Sequence, residues 1–189
     1  VAEKALAIES EISVLVARRR SGEIVVYEPA LNHHEERVLA WSVLPGWMDA
    51  RVKRDAVEIA RAITEKVGAV GLLVVEMFVV EGGRVLVNEL APRPHNSFHA
   101  TEVACATSQF EQLVRAVCDL PLGSVEVVKP VAIANLLGDI FLRDTPPPFD
   151  RALELPGVRL HLYGKRSARP GRKMGHLSAA GSTPEEAVR

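Results

Sequence analysis

The sequence predicts an α+β protein, and three observations predict it. Apolar runs of strand length outnumber helical segments: Glu11–Arg18, Glu23–Glu28, Val70–Val80 and Arg84–Leu90 are the clearest. Short turns join the neighbouring runs, Arg20-Ser21-Gly22 between the first two and Gly82-Gly83 between the last two. Turns that short make antiparallel hairpins, because a parallel pair needs a long crossover. One long segment, Met48–Val67, carries a helical period instead, through Val52, Ala56, Val57, Ile59, Ala60, Ile63 and Val67. Strand pairs mixed with separate helices give α+β rather than a doubly wound parallel sheet.

Taken in order, Arg37–Leu44 is a third candidate strand, and Gly68 stops the helix that follows. Pro92–Phe98 is a loop, Ser108–Val117 a second helix preceded by a shorter one, and Val125–Leu137 a long strand interrupted at Pro130. Pro146-Pro147-Pro148 marks a connection; Val158–Gly164 and Lys173–Ala179 are strands on either side of a basic loop, Arg166–Arg172. Thr183-Pro184-Glu185-Glu186 has the pattern of a helix start. The chain begins at Val1 inside patterned sequence, so it reads as a fragment of a longer protein, with one unit over residues 1–123 and a smaller β-rich one over 124–189.

Composition narrows the classes. With 48% hydrophobic and 25% charged residues the chain has the balance of a globular domain, and a net charge of −1 gives no field to recruit nucleic acid or an acidic membrane. The longest apolar stretch, near Val67–Val80, contains Glu76 and is too short for a membrane span. Cys105 and Cys118 have neither C-x-x-C nor zinc spacing, and read as packed thiols in a reducing cytoplasm.

Candidate chemistry begins with two carboxylates. Glu76 interrupts Val74-Val75-Glu76-Met77-Phe78-Val79-Val80, where a charge is costly unless compensated. A two-residue turn at Gly82-Gly83 sets Glu81 opposite Arg84 and, counting back along both strands, Glu76 opposite Glu89. Opposed side chains lie ~4.5–5.5 Å apart at Cβ. Either one carboxyl is protonated or a divalent cation lies between them, and oxygen donors favour magnesium or manganese beside nucleotide phosphates. The plainer reading, two solvated acids at a hairpin end, fits the apolar flanks of Glu76 less well.

Two basic loops follow. In Ala91-Pro92-Arg93-Pro94-His95-Asn96-Ser97, prolines stiffen the backbone that presents Arg93 and His95. An arginine there either stabilises charge on a transferring phosphoryl group or pairs with Glu76 or Glu89. Lys165–Lys173 holds a phosphate of a second substrate or is a solvated turn. Glu3-Lys4-Ala5-Leu6 with Glu11 suits an adenine-reading segment and a ribose-binding carboxylate, a pattern that also arises by chance, and His34 reads as a loop histidine.

Glu3, Leu6, Glu11, Glu76, Asn88-Glu89 and Arg93 together resemble the ATP-grasp superfamily. The strings N-E-L-A-P-R-P-H-N-S, T-S-Q-F-E-Q (Thr107–Gln112), P-L-G (Pro121–Gly123), N-L-L-G-D (Asn135–Asp139), L-H-L-Y-G-K (Leu160–Lys165) and P-G-R-K-M-G-H (Pro170–His176) narrow this. They are similar to the N5-carboxyaminoimidazole ribonucleotide synthases of purine biosynthesis. The resemblance covers the whole chain but only about the C-terminal half of a family member, without the N-terminal domain or the phosphate loop and its lysines. It implies an ATP-grasp C-terminal lobe followed by a small barrel-sandwich-like domain.

The resemblance also implies roles. Glu3, Lys4, Ala5 and Leu6 would read adenine, Glu11 and His34 would lie at the nucleotide, and Asn88 and Glu89 at its phosphates. Glu76 and Glu89 would hold Mg2+, or Mn2+ in its place; Arg93 and His95, with Asn96 beside them, would meet bicarbonate or carboxyphosphate. Lys165, Arg172 and Lys173 would hold the phosphate of 5-aminoimidazole ribonucleotide. The implied protein is a cytoplasmic homodimer that carboxylates this nucleotide with ATP and bicarbonate, the 189 residues alone being inactive. The neighbouring alternative is a formate-dependent glycinamide ribonucleotide transformylase, which shares a P-R-P-H loop; P-G-R-K-M-G-H and N-L-L-G-D favour the carboxylating family. An inactive nucleotide-binding piece is the non-enzymatic alternative. Ala91 stands where many ATP-grasp enzymes have a metal-binding Asn, Phe98 replaces glycine in N-S-G-H, and Lys4-Ala5 replaces acidic and aromatic hinge residues.

Overall fold

The computed structural model describes residues 4–189. Its centre is β1 (Ile8–Arg18), an 11-residue strand buried from Ile12 to Ala17. On one edge β1 pairs antiparallel along its length with β5 (Gly71–Val80). On the other edge two short strands share it end to end: β2 (Ile24–Val26) opposite Val16–Arg18 and β3 (Ala30–Glu35) opposite Glu11–Ser13. With β4 (Val38–Leu44), β6 (Arg84–Ala91), β7 (Val131–Leu137), β8 (Arg159–Leu162) and β9 (Lys173–Ala180), the described strands form one nine-stranded sheet. Its order is β6-β5-β1-β3-β4-β7-β9-β8, and each of these pairings is antiparallel.

Alternation along β1 divides the core in two. Ile12, Val14 and Val16 face α1 (Ala50–Val67), which meets them with Val52, Ala56 and Ala60. Asp49 caps α1 by accepting from the Arg51 amide at 2.7 Å, and Gly68 ends it at φ 68°. Leu15 and Ala17 face the other way, onto Tyr27, Leu72, Val74, Phe98 and α2 (Thr101–Ala104). There α3 (Gln109–Val117) starts on Ser108, whose hydroxyl accepts from the Glu111 amide. The short helices α4 (Phe149–Leu153) and α5 (Pro184–Val188) complete the elements; Ala187 of α5 packs on the α1-side cluster.

Four local expectations change. Residues 31–34 are a strand, not a loop, so His34 is held in β3 and paired with Leu39. The segment 125–130 does not continue into β7: it makes a single bridge, Val127 to Cys105, and the strand proper starts after Pro130. Cys105 is buried as expected, but Cys118 is exposed at the end of α3. The β5–β6 turn is a three-residue helical turn, Glu81–Gly83, so Val80 rather than Glu81 faces Arg84. Among the described residues no helix is long and apolar enough to cross a membrane.

Candidate active site

The longer turn displaces the β5–β6 register by one residue, and Met77 faces Val87. A bulge at Asn88 then takes up the extra residue and restores Glu76 opposite Glu89. The expected carboxylate pair is therefore present through two compensating departures from an ideal hairpin. The bulge also turns Asn88 toward the same cleft as both acids.

That cleft, about 690 Å³, is bounded by the ends of β1 and β3, the β5–β6 hairpin, the loop after β6 and the 165–173 loop. It brings together Glu11, His34, Glu76, Asn88 and Glu89 with Arg93, His95, Lys165 and Lys173. Lys4, Ala5 and Leu6 form an exposed segment leading into β1, whose first residue Ile8 lines the cleft. Glu3 lies outside the described residues. Asn96 and Arg172 do not line the cleft: Asn96 donates to Asn135 Oδ1 at 2.8 Å, and Arg172 donates to the Ser167 carbonyl at 2.8 Å.

Glu76 is compensated by a histidine. His95 Nε2 lies 3.0 Å from Glu76 Oε1, and that hydrogen bond holds the Glu76 carboxyl below the ordinary carboxylate range against the opposing effect of burial. Arg93 instead donates to the Pro94 carbonyl, leaving its guanidinium on the exposed wall. Burial pushes the Lys173 amine down, and the Glu76 carboxylate partly offsets this. Glu11 Oε2 and His34 Nδ1 approach within 2.6 Å, joining the two residues expected at a nucleotide. Glu76, Glu89 and the Asn88 amide supply only hard oxygen donors, a set that fits a magnesium-sized cation.

Residues beneath the cleft were not singled out by the sequence. Ser13, Ser42, Ser97 and Asn32 are buried and hydrogen-bonded to one another, and Ser97 Oγ lies 2.9 Å from His95 Nδ1. Gln109 clamps the His95 backbone from both sides, accepting from its amide at 2.8 Å and donating to its carbonyl at 3.0 Å. The available signal was polar residues at inward strand positions, Ser13 in I-S-V and Ser42 in W-S-V. Phe98, where the resemblance implied glycine, is wholly buried and meets Tyr27 edge-on at 6.3 Å, so it is a core residue that anchors the loop. A second cleft of about 650 Å³, walled by Trp41, Trp47 and Met48, adjoins the first through Ile8, Glu11, Asn32 and His34.

Glu102, His161 and His176 also bring ligating atoms within 4.8 Å of one another. The His161 and His176 rings are stacked face to face, 4.5 Å between centroids and 10° from parallel. In-plane lone pairs on stacked rings do not converge, so this group needs a ring rotation before it ligates one ion.

Residues 1–110 match the model of the ATP-grasp domain, and residues 131–189 that of the phosphoribosylaminoimidazole carboxylase C-terminal domain. The chain is 42% identical over 179 residues to the N5-carboxyaminoimidazole ribonucleotide synthase of Bacillus subtilis, covering 94% of this chain and 46% of that protein. It is 38% identical over 188 residues to that of Aquifex aeolicus, covering 100% and 49%. An ADP complex of an N5-carboxyaminoimidazole ribonucleotide synthetase superposes with TM-score 0.92 at 41% identity, over 98% of this chain and 48% of that one. The Aspergillus clavatus enzyme in complex with ADP and 5-aminoimidazole ribonucleotide superposes with TM-score 0.86 at 32% identity, over 98% and 50%. The chain spans about half the length of the curated relatives it matches.

Proposed function

The chain belongs to the ATP-grasp family, and from that premise we propose that it forms the C-terminal half of an N5-carboxyaminoimidazole ribonucleotide synthase. One observation carries the reading: Glu76, Glu89, Arg93 and His95 share a cleft with Lys165 and Lys173, which come from the far end of the chain. Acidic and basic groups lining one cleft suit two anionic partners, a nucleotide triphosphate held through a cation and a phosphorylated second substrate.

In this reading bicarbonate attacks the γ-phosphorus of ATP, the bond to ADP breaks, and carboxyphosphate forms. The exocyclic amine of 5-aminoimidazole ribonucleotide then takes the carboxyl carbon, phosphate leaves, and the amine gives up a proton. Catalysis rests on positioning and charge stabilisation. Magnesium held by Glu76 and Glu89, with Asn88 beside it, would neutralise phosphate oxygens. Arg93 and His95 hold bicarbonate and its phosphorylated product; Glu11 and His34, with the Glu3–Leu6 segment, hold the nucleoside. Lys165 and Lys173 face the nucleotide phosphate of the second substrate, and Arg172 reaches it by leaving Ser167. Asn96, bonded to Asn135, ties the loop of Arg93 and His95 to β7. The reading takes residues 1–123 and 124–189 as two units of a cytoplasmic homodimer.

The test is ADP release by the full-length enzyme. It should depend on bicarbonate and 5-aminoimidazole ribonucleotide together, and Glu89→Gln should lower kcat at least a hundredfold, the scale of losing one preorganised charge-stabilising group. Turnover driven by formate and glycinamide ribonucleotide would overturn the assignment in favour of the transformylase.

A further inference from the structure

Every hydrogen-bonding position behind His95 is filled, and the direction of each bond follows from one group that only accepts. His95 Nε2 lies 3.0 Å from Glu76 Oε1, and a carboxylate oxygen accepts, so the nitrogen facing it, Nε2, is the donor. In a neutral ring Nδ1 is then bare and accepts from Ser97 Oγ at 2.9 Å. Ser97 has given its only proton to His95, so it accepts from Ser13 Oγ, 2.9 Å away. Ser13 in turn accepts from Asn32 Nδ2 at 3.1 Å, and Asn32 Oδ1 accepts from Ser42 Oγ at 2.8 Å. The series crosses the sheet from β4 through β3 and β1 to the loop. Ser13, Ser42 and Ser97 are each at most 1% exposed, so water does not substitute for a missing partner.

We propose that Ser97, oriented by Ser13 and Asn32, is a positioning residue for His95: it occupies Nδ1 and so presents Nε2–H to Glu76 and the cleft. This rests on the carboxylation reading only for its effect on turnover; the state of the ring is a property of this chain alone. Ser97 does more than fill space. Its backbone carbonyl lies 3.1 Å from Ser42 Oγ, whose single proton is shared between that carbonyl and Asn32 Oδ1, so the sheet residues that set its hydroxyl also reach its main chain. Gln109 holds the His95 backbone independently, so the Ser97 hydroxyl acts on the ring rather than on the position of the loop.

The experiment reads the ring nitrogens of His95 in the 189-residue chain by long-range 1H–15N correlation. In the unsubstituted chain Nδ1 should give the signal of an unprotonated, hydrogen-bonded nitrogen and Nε2 that of a protonated one. Ser13→Ala changes no atom in contact with His95, yet it frees the Ser97 hydroxyl to rotate. It should move and broaden the Nδ1 signal, and Ser97→Ala should do so more strongly. A protonated Nδ1 in the unsubstituted chain, or His95 signals unmoved by both substitutions, would overturn the proposal. The first readout needs no variant and stands even where a variant fails to fold. In the full-length enzyme, Ser97→Ala should lower kcat about tenfold with KM for ATP unchanged, the scale on which removing a histidine's hydrogen-bonding partner acts. If that enzyme lacks bicarbonate-dependent turnover, the carboxylation reading fails while the ring signals still decide the role of Ser97.

Discussion

Two buried polar clusters meet at residues 95–99, and they are built in opposite ways. Beneath the cleft, His95 belongs to a series in which each side chain donates a hydrogen bond to the next. Four residues on, His99 joins a column of stacked rings: Phe110, His99, His176 and His161, with adjacent centroids 5.7, 4.8 and 4.5 Å apart. That column is only partly bonded. His176 Nδ1 has Tyr163 at 2.8 Å and His99 Nδ1 has Gln109 Nε2 at 3.2 Å, but His176 Nε2 and His161 Nδ1 are buried with no hydrogen-bond partner among the described residues. Hydrogen bonding fixes where protons sit in the first cluster, whereas desolvation fixes the charge in the second. Burial pushes His176 down to about 3 and His99 to about 4, helped at His176 by charge on His99 and His161, and at His99 by charge on His161, His95 and Lys173.

The column should therefore be the acid-sensitive part of the molecule. Both folded pKa values lie below the unfolded value of 6.5, so between pH 6.5 and 4 the unfolded chain binds more protons. The stability due to neutral stacking is whole above that window and is lost as pH falls through it. The groups facing the rings are Glu102, Tyr163, His95 and Lys173, and among them only Glu102 favours a charged imidazole. The two shifts together correspond to a loss on the order of 4 kcal/mol by pH 4, after allowance for partial exposure of His99. Urea unfolding at pH 7 and pH 4 measures it, and His99→Phe, which keeps a ring but not a titrating one, should flatten the pH slope by about half. An unchanged slope would mean that other groups carry the acid lability.

The hydrogen-bonded cluster should break through lost partners instead. Asn32→Leu preserves volume but removes one of the two acceptors of Ser42 and the donor to Ser13, both buried. A cost of about 2 kcal/mol is expected, with little dependence on pH between 5 and 8. Chemical denaturation with an unchanged m-value checks it; a loss that grows on acidification would erase the distinction between the clusters.

Neither cluster was equally visible in the sequence. The strands of β1, β5 and β6, the long helix and the Glu76–Glu89 pair follow from local pattern, because alternation and turn residues act over a few positions. Even so, the pair was reached through a turn one residue too short, and the bulge at Asn88 made up the difference. β3 was missed because Leu31-Asn32-His33-His34 lacks apolar alternation; its Asn32 is polar for the sake of a network assembled from four segments. The histidine column was hidden for the same reason. His99, His161 and His176 are far apart in the chain and are stacked by the pairing of β8 with β9, where His161 faces His176. The basic loop was legible as charge, but not its geometry: Lys165 and Lys173 face the cleft while Arg172 turns back to Ser167.

The smallest expected effect sharpens the comparison most. Phe110 caps the column from α3, lying 21° from parallel to His99 while 39% of its own surface stays exposed. Phe110→Ala removes one stacking partner at the rim, which costs about 1 kcal/mol. It also lets water reach the outer face of His99. If burial is what depresses that histidine, its pKa should rise toward the ordinary imidazole value, while His176, only 2% exposed and screened by His99, should move much less. The His95 ring signals should not move, because its partners Ser97 and Glu76 are untouched. Histidine titrations by NMR read all three at once. A joint shift of His99 and His95 would mean that the loop 95–99 relays changes between the clusters, and that they are one network rather than two.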